Sequence, residues 1–318
     1  MKDPLDIAKS LYKEMQYEDT IVRCKQILKK NSDSVDALKL LGKCYLATKN
    51  IEDARLSIEK ALSIEPNNYE TIKDLGNLFQ SINEIIQAKK YYLKALEIKN
   101  NYAPALTNLG NIELLSGNTK EALFLLIKAT KSDPNLMQAW ANLAKAYLQQ
   151  SKLNEAVLAC NKAISLNPNM FNFHFLLGSI QIQQKNFSAA EISLNQSINL
   201  NPNLYQTRLN LALVLKKLNK NEEAEKSCKK AIELNPNDYQ SHFLLSQILL
   251  SLNNIKEAST TIKKVIKLNS EFAEAHFTLG NILRKMGKPK AAELSHQKAI
   301  ELKPDFVEAH FNLGNTLH

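Results

Sequence analysis

The chain has 318 residues, 44% of them hydrophobic and 23% charged, and carries a formal charge of +9 from 41 lysines and arginines against 32 carboxylates. Only eight glycines and nine prolines exclude collagen-like and low-complexity classes, and the apolar content is too high for a chain that cannot bury a core. No apolar run approaches the roughly 18 residues of a membrane span, and the opening Met1-Lys2-Asp3-Pro4-Leu5-Asp6 lacks the apolar segment of a secretory signal, so the expectation is a soluble, cytoplasmic chain with no membrane partner.

A single ruler runs through the sequence. Pro134, Pro168, Pro202 and Pro236 are each 34 residues apart, Pro66 and Pro304 fall on the same grid, and Ser32, Asn100 and Ser270 hold the three remaining points. Ala54, Ala88, Ala122, Ala156, Ala190, Ala224, Ala258 and Ala292 keep the identical spacing without a slip. Internal repetition of this period means a stacked array in which no unit buries its apolar side alone.

In chain order, residues 1–34 keep the rhythm loosely through Ile7, Ala8, Leu11, Cys24 and Ile27, with Thr20 in place of the alanine, and are expected to form a degenerate N-terminal capping repeat. With Val35 as position 1, residues 35–306 form eight consecutive repeats. Positions 4, 7, 8 and 11, as in Trp140, Leu143, Ala144 and Tyr147, make the stripe of an amphipathic helix, here helix A. Gly117-Asn118, Asn219-Lys220, Asn253-Asn254 and Gly287-Lys288 at positions 15 and 16 tolerate the left-handed turn that ends a helix. Positions 17, 20, 24, 27, 28 and 30, as in Leu153, Ala156, Cys160, Ala163, Ile164 and Leu166, make a second stripe, helix B. The grid proline then closes the unit. Small residues at position 8, glycine in most repeats, are expected to face the alanine at position 20 and to let the two helices approach. Residues 307–318 open a ninth unit and stop before any helix B, so the native protein is expected to continue, and the uncapped end invites self-association.

These residues closely resemble the tetratricopeptide repeat, W-x2-L-G-x2-Y followed by alanine, an aromatic, alanine and proline. Residues 137–170 match at Trp140, Leu143, Tyr147, Ala156, Ala163 and Pro168 and depart at Ala144 and Cys160. The resemblance implies an all-α fold, a right-handed α-solenoid of tandem 34-residue helix-turn-helix repeats, with helix A lining a concave groove. It also implies a protein or peptide partner rather than catalysis.

The chemistry-bearing residues fall on the grid. Cys24, Cys160 and Cys228 share position 24, no C-x2-C pair exists, and reduced thiols with no metal are expected. His174, His242, His276 and His310 all occupy position 4, the slot of Trp140, and are expected to be structural. Metalloprotease, P-loop, nucleophile-elbow and dinucleotide motifs are absent, so neither a catalytic residue nor a cofactor is assigned. Lysine doublets such as Lys229-Lys230 lie on helix B, whereas a nucleic-acid groove would stack cations along helix A, so no nucleic-acid partner is expected.

Groove candidates follow from the resemblance, which points positions 2, 5, 6, 9, 12 and 13 inward. Lys73, Asn77 and Asn108 match three residues of the family's dicarboxylate clamp, while Gln138 and Asn142 replace its two cations. Asn108, Asn142, Asn210 and Asn312 at position 6 resemble the asparagine ladder of the superhelix in O-linked N-acetylglucosamine transferases, where amides hold a peptide backbone; Leu40, Leu176, Leu244 and Thr278 interrupt it. Asn281 joins Asn77 at position 9. Position 5 passes from Lys39, Lys73, Thr107 and Ala141 to Phe175, Leu209, Phe243, Phe277 and Phe311, so the groove is expected to turn from polar to apolar. The expected function is a protein-interaction scaffold binding an extended or helical segment, the alternative being the substrate-recognition arm of a glycosyltransferase whose catalytic domain lies beyond His318.

Overall fold

The computed structural model describes residues 3–317, and every regular element among them is an α-helix. Met1, Lys2 and His318, the ends of the expected cap and of the opening ninth unit, lie outside the described residues. The chain divides into two compact units, Met1–Leu166 and Asn167–His318. The first contains α1 (Pro4–Lys13), α2 (Tyr17–Lys30), α3 (Val35–Ala47), α4 (Ile51–Ile64), α5 (Tyr69–Ser81), α6 (Ile85–Ile98), α7 (Ala103–Leu115), α8 (Thr119–Ser132), α9 (Met137–Gln149) and α10 (Leu153–Leu166). The second contains α11 (Phe171–Gln183), α12 (Phe187–Leu200), α13 (Tyr205–Lys217), α14 (Asn221–Leu234), α15 (Tyr239–Ser251), α16 (Ile255–Leu268), α17 (Ala273–Lys285), α18 (Pro289–Leu302) and α19 (Val307–Leu317). Odd-numbered helices are A and even-numbered helices are B. Within each unit every A packs on its own B, and each B packs on the A that follows.

The turn between A and B repeats one backbone conformation. Position 15 has positive φ in all nine hairpins, at Met15, Lys49, Asn83, Gly117, Ser151, Lys185, Asn219, Asn253 and Gly287. The following N–H returns to the carbonyl five residues earlier, as from Asn118 to Glu113 at 2.9 Å, which is the closure that satisfies orphan carbonyls at a helix end.

Proline is not what stops helix B. α2, α6 and α16 end at Lys30, Ile98 and Leu268, the same register as the others, although Ser32, Asn100 and Ser270 replace the grid proline. At six boundaries position 4 of the next A helix also bonds to the carbonyl of the grid residue, whereas Leu38, Ile72 and Leu106 at that position carry no side-chain donor. Trp140 Nε1 donates to the carbonyl of Pro134 at 2.9 Å, and Arg208 Nε to that of Pro202 at 3.1 Å. Nε2 of His174, His242, His276 and His310 lies 2.8–2.9 Å from the carbonyls of Pro168, Pro236, Ser270 and Pro304. A carbonyl can only accept, so each ring carries its hydrogen on Nε2.

In the five hairpins with glycine at position 8, the side chain of position 24 lies closer to that glycine than the alanine of position 20 does. A Cβ at Gly42 would sit 2.7 Å from Ile58 Cγ1, at Gly76 2.6 Å from Tyr92 Cε1, and at Gly110 2.8 Å from Leu126 Cγ. The position-20 alanines, all fully buried, approach that Cβ through backbone alone, as Ala54 O does at 3.5 Å. The cause is geometric: in two antiparallel helices the knob that enters the glycine hole comes from one turn beyond the alanine. Thr20 fits the alanine slot of the first hairpin because its hydroxyl, fully buried, donates to the Gln16 carbonyl at 2.7 Å.

Candidate functional site

In the first unit, side chains on consecutive A helices join across the repeat boundary. On α3 and α5, Lys39 Nζ reaches Glu70 Oε2 at 2.6 Å. Lys43 lies 3.5 Å from Asp74 Oδ2, and Lys73 pairs with Asp74 Oδ1. Asp74 is 1% exposed, and its Oδ2 accepts no hydrogen bond among the described residues, so Lys43 and Lys73 are what offset its buried charge. The hydrogen bond from Lys39, then its charge and those of Lys43 and Lys73, hold Glu70 below the ordinary carboxylate range against the opposing effect of burial. Burial pulls Lys39 down, but the bond and charge of Glu70 outweigh it and raise the lysine overall. A cavity of about 400 Å³ opens beside this network, lined among others by Lys9, Tyr12, Lys13, Lys39, Lys43 and Glu70.

The amides form rungs. Asn108 Nδ2 on α7 donates to Asn77 Oδ1 on α5 at 2.8 Å, and that oxygen also accepts from Tyr92 Oη at 2.8 Å. The second unit repeats the motif: Asn312 Nδ2 donates to Asn281 Oδ1 at 2.8 Å, with His296 Nε2 at 3.3 Å from the same oxygen. Thus Asn77 and Asn108 are brought together, and so are Asn281 and Asn312, whereas Lys73, one turn before Asn77 on α5, pairs with Asp74. Asn142 and Asn210 are half-buried on α9 and α13 and join no such rung among the described residues. The rung is a pair 31 residues apart, position 9 to position 6 of the next repeat; this spacing is readable in the sequence once position 24 is seen to supply a polar tip.

The position-5 rings of the second unit divide. Phe243 is half-buried with Phe272 at 4.9 Å between centroids, and Phe277 is half-buried with Phe306 at 4.9 Å, so each spends a face on its own hairpin. Phe311 is 68% exposed. The thiols are inert: burial pushes Cys24, Cys160 and Cys228 up to about 12 and Cys44 to about 11, which keeps them protonated at neutral pH.

Comparison with known proteins bears on this arrangement. The model for a run of tetratricopeptide repeats described as the Cilia and flagella-associated protein 70 C-terminal domain matches residues 67–278, about two thirds of the chain. The chain belongs to that tetratricopeptide-repeat family. Two further tetratricopeptide-repeat models match residues 11–76 and 280–318. A comparison with curated proteins finds no match. Among solved structures, Pseudomonas aeruginosa pilF is 22% identical over 68% of this chain and 98% of its own, with a TM-score of 0.62. The Cut9–Hcn1 hetero-tetramer of the APC/C is 18% identical over 95% of this chain and 60% of that one, with a TM-score of 0.62. YrrB, described as a TPR protein with an unusual peptide-binding site, is 20% identical over 59% of this chain and 96% of its own, with a TM-score of 0.52. At such identities the tetratricopeptide-repeat fold is what is shared. No helix among the described residues is long and apolar enough to cross a membrane.

Proposed function

We propose that this tetratricopeptide-repeat chain is a protein-interaction scaffold whose A helices hold an extended segment of a partner protein, acidic where it meets the first unit. The observation that carries the reading is the excess of cations around the 400 Å³ cavity, where Lys9, Lys13, Lys39 and Lys43 stand against Asp36 and Glu70. Lys39 is engaged by Glu70 and Lys9 by Asp36 at 3.3 Å, whereas Lys13 is exposed with no ion pair among the described residues. A partner carboxylate there gains charge-assisted bonds at little cost in displaced partners. The peptide-binding site named for YrrB and the assembly named for Cut9–Hcn1 support a binding role. In the second unit, Phe311 with Asn281 and Asn312 would meet apolar side chains and backbone amides of the segment.

The test immobilises the chain, recovers partners from an extract of its native cell, and quantifies them by mass spectrometry. Lys9→Glu with Lys13→Glu should lower recovery of the principal partner at least fivefold while circular dichroism keeps its helicity. Undiminished recovery would count against the assignment. Phe311→Ala is a cleaner probe of the second unit than Phe243→Ala or Phe277→Ala, because the latter rings pack internally and their loss would also destabilise the hairpin. Val307 and Phe311, 73% and 68% exposed on α19, also favour self-association of the chain through this end.

A further inference from the structure

The B helices of the first unit carry a second surface that the helix A face does not use. Position 22 points away from the buried alanine of position 20 and the buried knob of position 24, and there Phe124 and Leu158 are 63% and 71% exposed. On α6 the same outward face presents Ile86 and Leu93, 84% and 48% exposed. Exposed apolar side chains are unremarkable singly, but these stand on the outward face of three consecutive B helices, Phe124 and Leu158 at position 22 and Ile86 and Leu93 at positions 18 and 25, where α6 has Lys90 at position 22.

Lysines accompany them at helical spacing. Lys90, Lys128 and Lys162 each follow an exposed apolar residue by four positions, and Lys94 follows Leu93 directly. Lysine stems often shield apolar neighbours, yet the exposures show that Ile86, Phe124 and Leu158 stay uncovered. Among the described residues, none of these lysines has an ion pair. At the four outward positions of α6, α8 and α10 (18, 22, 25 and 26 of each repeat) there is no aspartate or glutamate.

The neighbouring B helices differ. α4 places Glu52 and Glu59 on this face. In the second unit, Lys229 and Lys230 on α14 are neutralised by Glu225 at 2.6 Å and Glu233 at 2.5 Å, and Lys298 on α18 by Glu301 at 2.8 Å. Leu56 on α4, Ile192 on α12 and Leu294 on α18 are exposed at position 22 as well, but only α6, α8 and α10 combine an exposed apolar residue with an ion-pair-free lysine four residues on and no carboxylate at the four outward positions among the described residues. Successive B helices, moreover, pack on A helices rather than on each other.

We infer that the outer face of α6, α8 and α10 docks an acidic amphipathic segment of a partner protein, independently of the helix A face. The apolar side of that segment covers Phe124, Leu158 and Ile86, and its carboxylates meet the lysines, an arrangement in which charge sets register and burial sets affinity.

The test uses the full chain and a fluorescein-labelled 18-residue synthetic helix with leucines along one side and glutamates elsewhere, followed by anisotropy. Saturable binding is expected, weakened at least tenfold by Phe124→Ser with Leu158→Ser, and likewise by Lys94→Glu with Lys128→Glu and Lys162→Glu. Lys9→Glu with Lys13→Glu should leave it within twofold of wild type, and a peptide with glutamine for glutamate should bind at least tenfold more weakly. Because the replaced side chains are solvent-facing, circular dichroism should match wild type for every variant. Absence of saturable binding, equal binding by the outer-face variants, or binding of phosphatidylserine vesicles that the peptide does not compete away would overturn the inference.

Discussion

At the residue scale, three of the four cysteines illustrate how packing volume rather than chemistry chose a side chain. Cys24, Cys160 and Cys228 each share a hairpin with alanine at position 8, namely Ala8, Ala144 and Ala212, whereas Ile58, Tyr92, Leu126, Leu194 and His296 each lie against a glycine. Ser246 with Ile262 departs from the rule, its hydroxyl turned back to the Phe243 carbonyl at 2.7 Å. The rule predicts that Cys160→Leu destabilises by about 1–3 kcal/mol through overpacking. Ala144→Gly in the same chain should recreate the glycine–leucine pair of Gly110 and Leu126. Urea denaturation of the four-member cycle should show the double variant more stable than the two single effects predict by at least about 1 kcal/mol. A second prediction concerns Lys185, whose φ of 59° lies where a side chain is disfavoured. Lys185→Gly should stabilise by about 0.5–1 kcal/mol, seen as a higher urea midpoint at unchanged slope.

At the scale of the element, the α17–α18 hairpin contains the one buried ring of its kind. His296 is fully buried against Gly280, with Nδ1 lacking a partner among the described residues, and burial first, then Arg284, holds it below its ordinary value of 6.5. The folded chain therefore resists protonation that the unfolded chain accepts. Stability is fully present above pH 6.5 and is lost as the pH falls from there through the lowered folded value. His296→Leu, which copies Leu126 and Leu194, should flatten the loss between about pH 7 and pH 5. Denaturation midpoints at several pH values measure it, and an unchanged slope would refute the role. The same hairpin shows why the rungs escaped sequence reasoning: Asn281 and Asn312 are consensus amides, and nothing local says that the position-24 tip and the next repeat's amide share one oxygen.

At the scale of the whole molecule, a solenoid helix with no partner on one side leaves that side uncovered. α19 leaves Val307 and Phe311 exposed, and if copies of the chain meet there, the sedimentation-averaged mass should rise with concentration and fall back to the monomer in Val307→Glu with Phe311→Glu. A constant monomer mass for wild type would exclude association by this route.

Spacing alone determined the hairpins, their turns and their buried stripes, because a 34-residue period repeats the same local demands: alanine where helices cross, a left-handed residue at position 15, an apolar face every third or fourth residue. Side-chain partners on other repeats were decided only when the hairpins stacked. Lys39 reads as a free groove cation until Glu70 of the next repeat pairs with it, and Asn108 as an open groove amide until Asn77 of the preceding repeat accepts its N–H. The reason is physical: the repeat pattern specifies which side of a helix is hidden, whereas the pairing of polar atoms depends on distances between helices far apart in the chain.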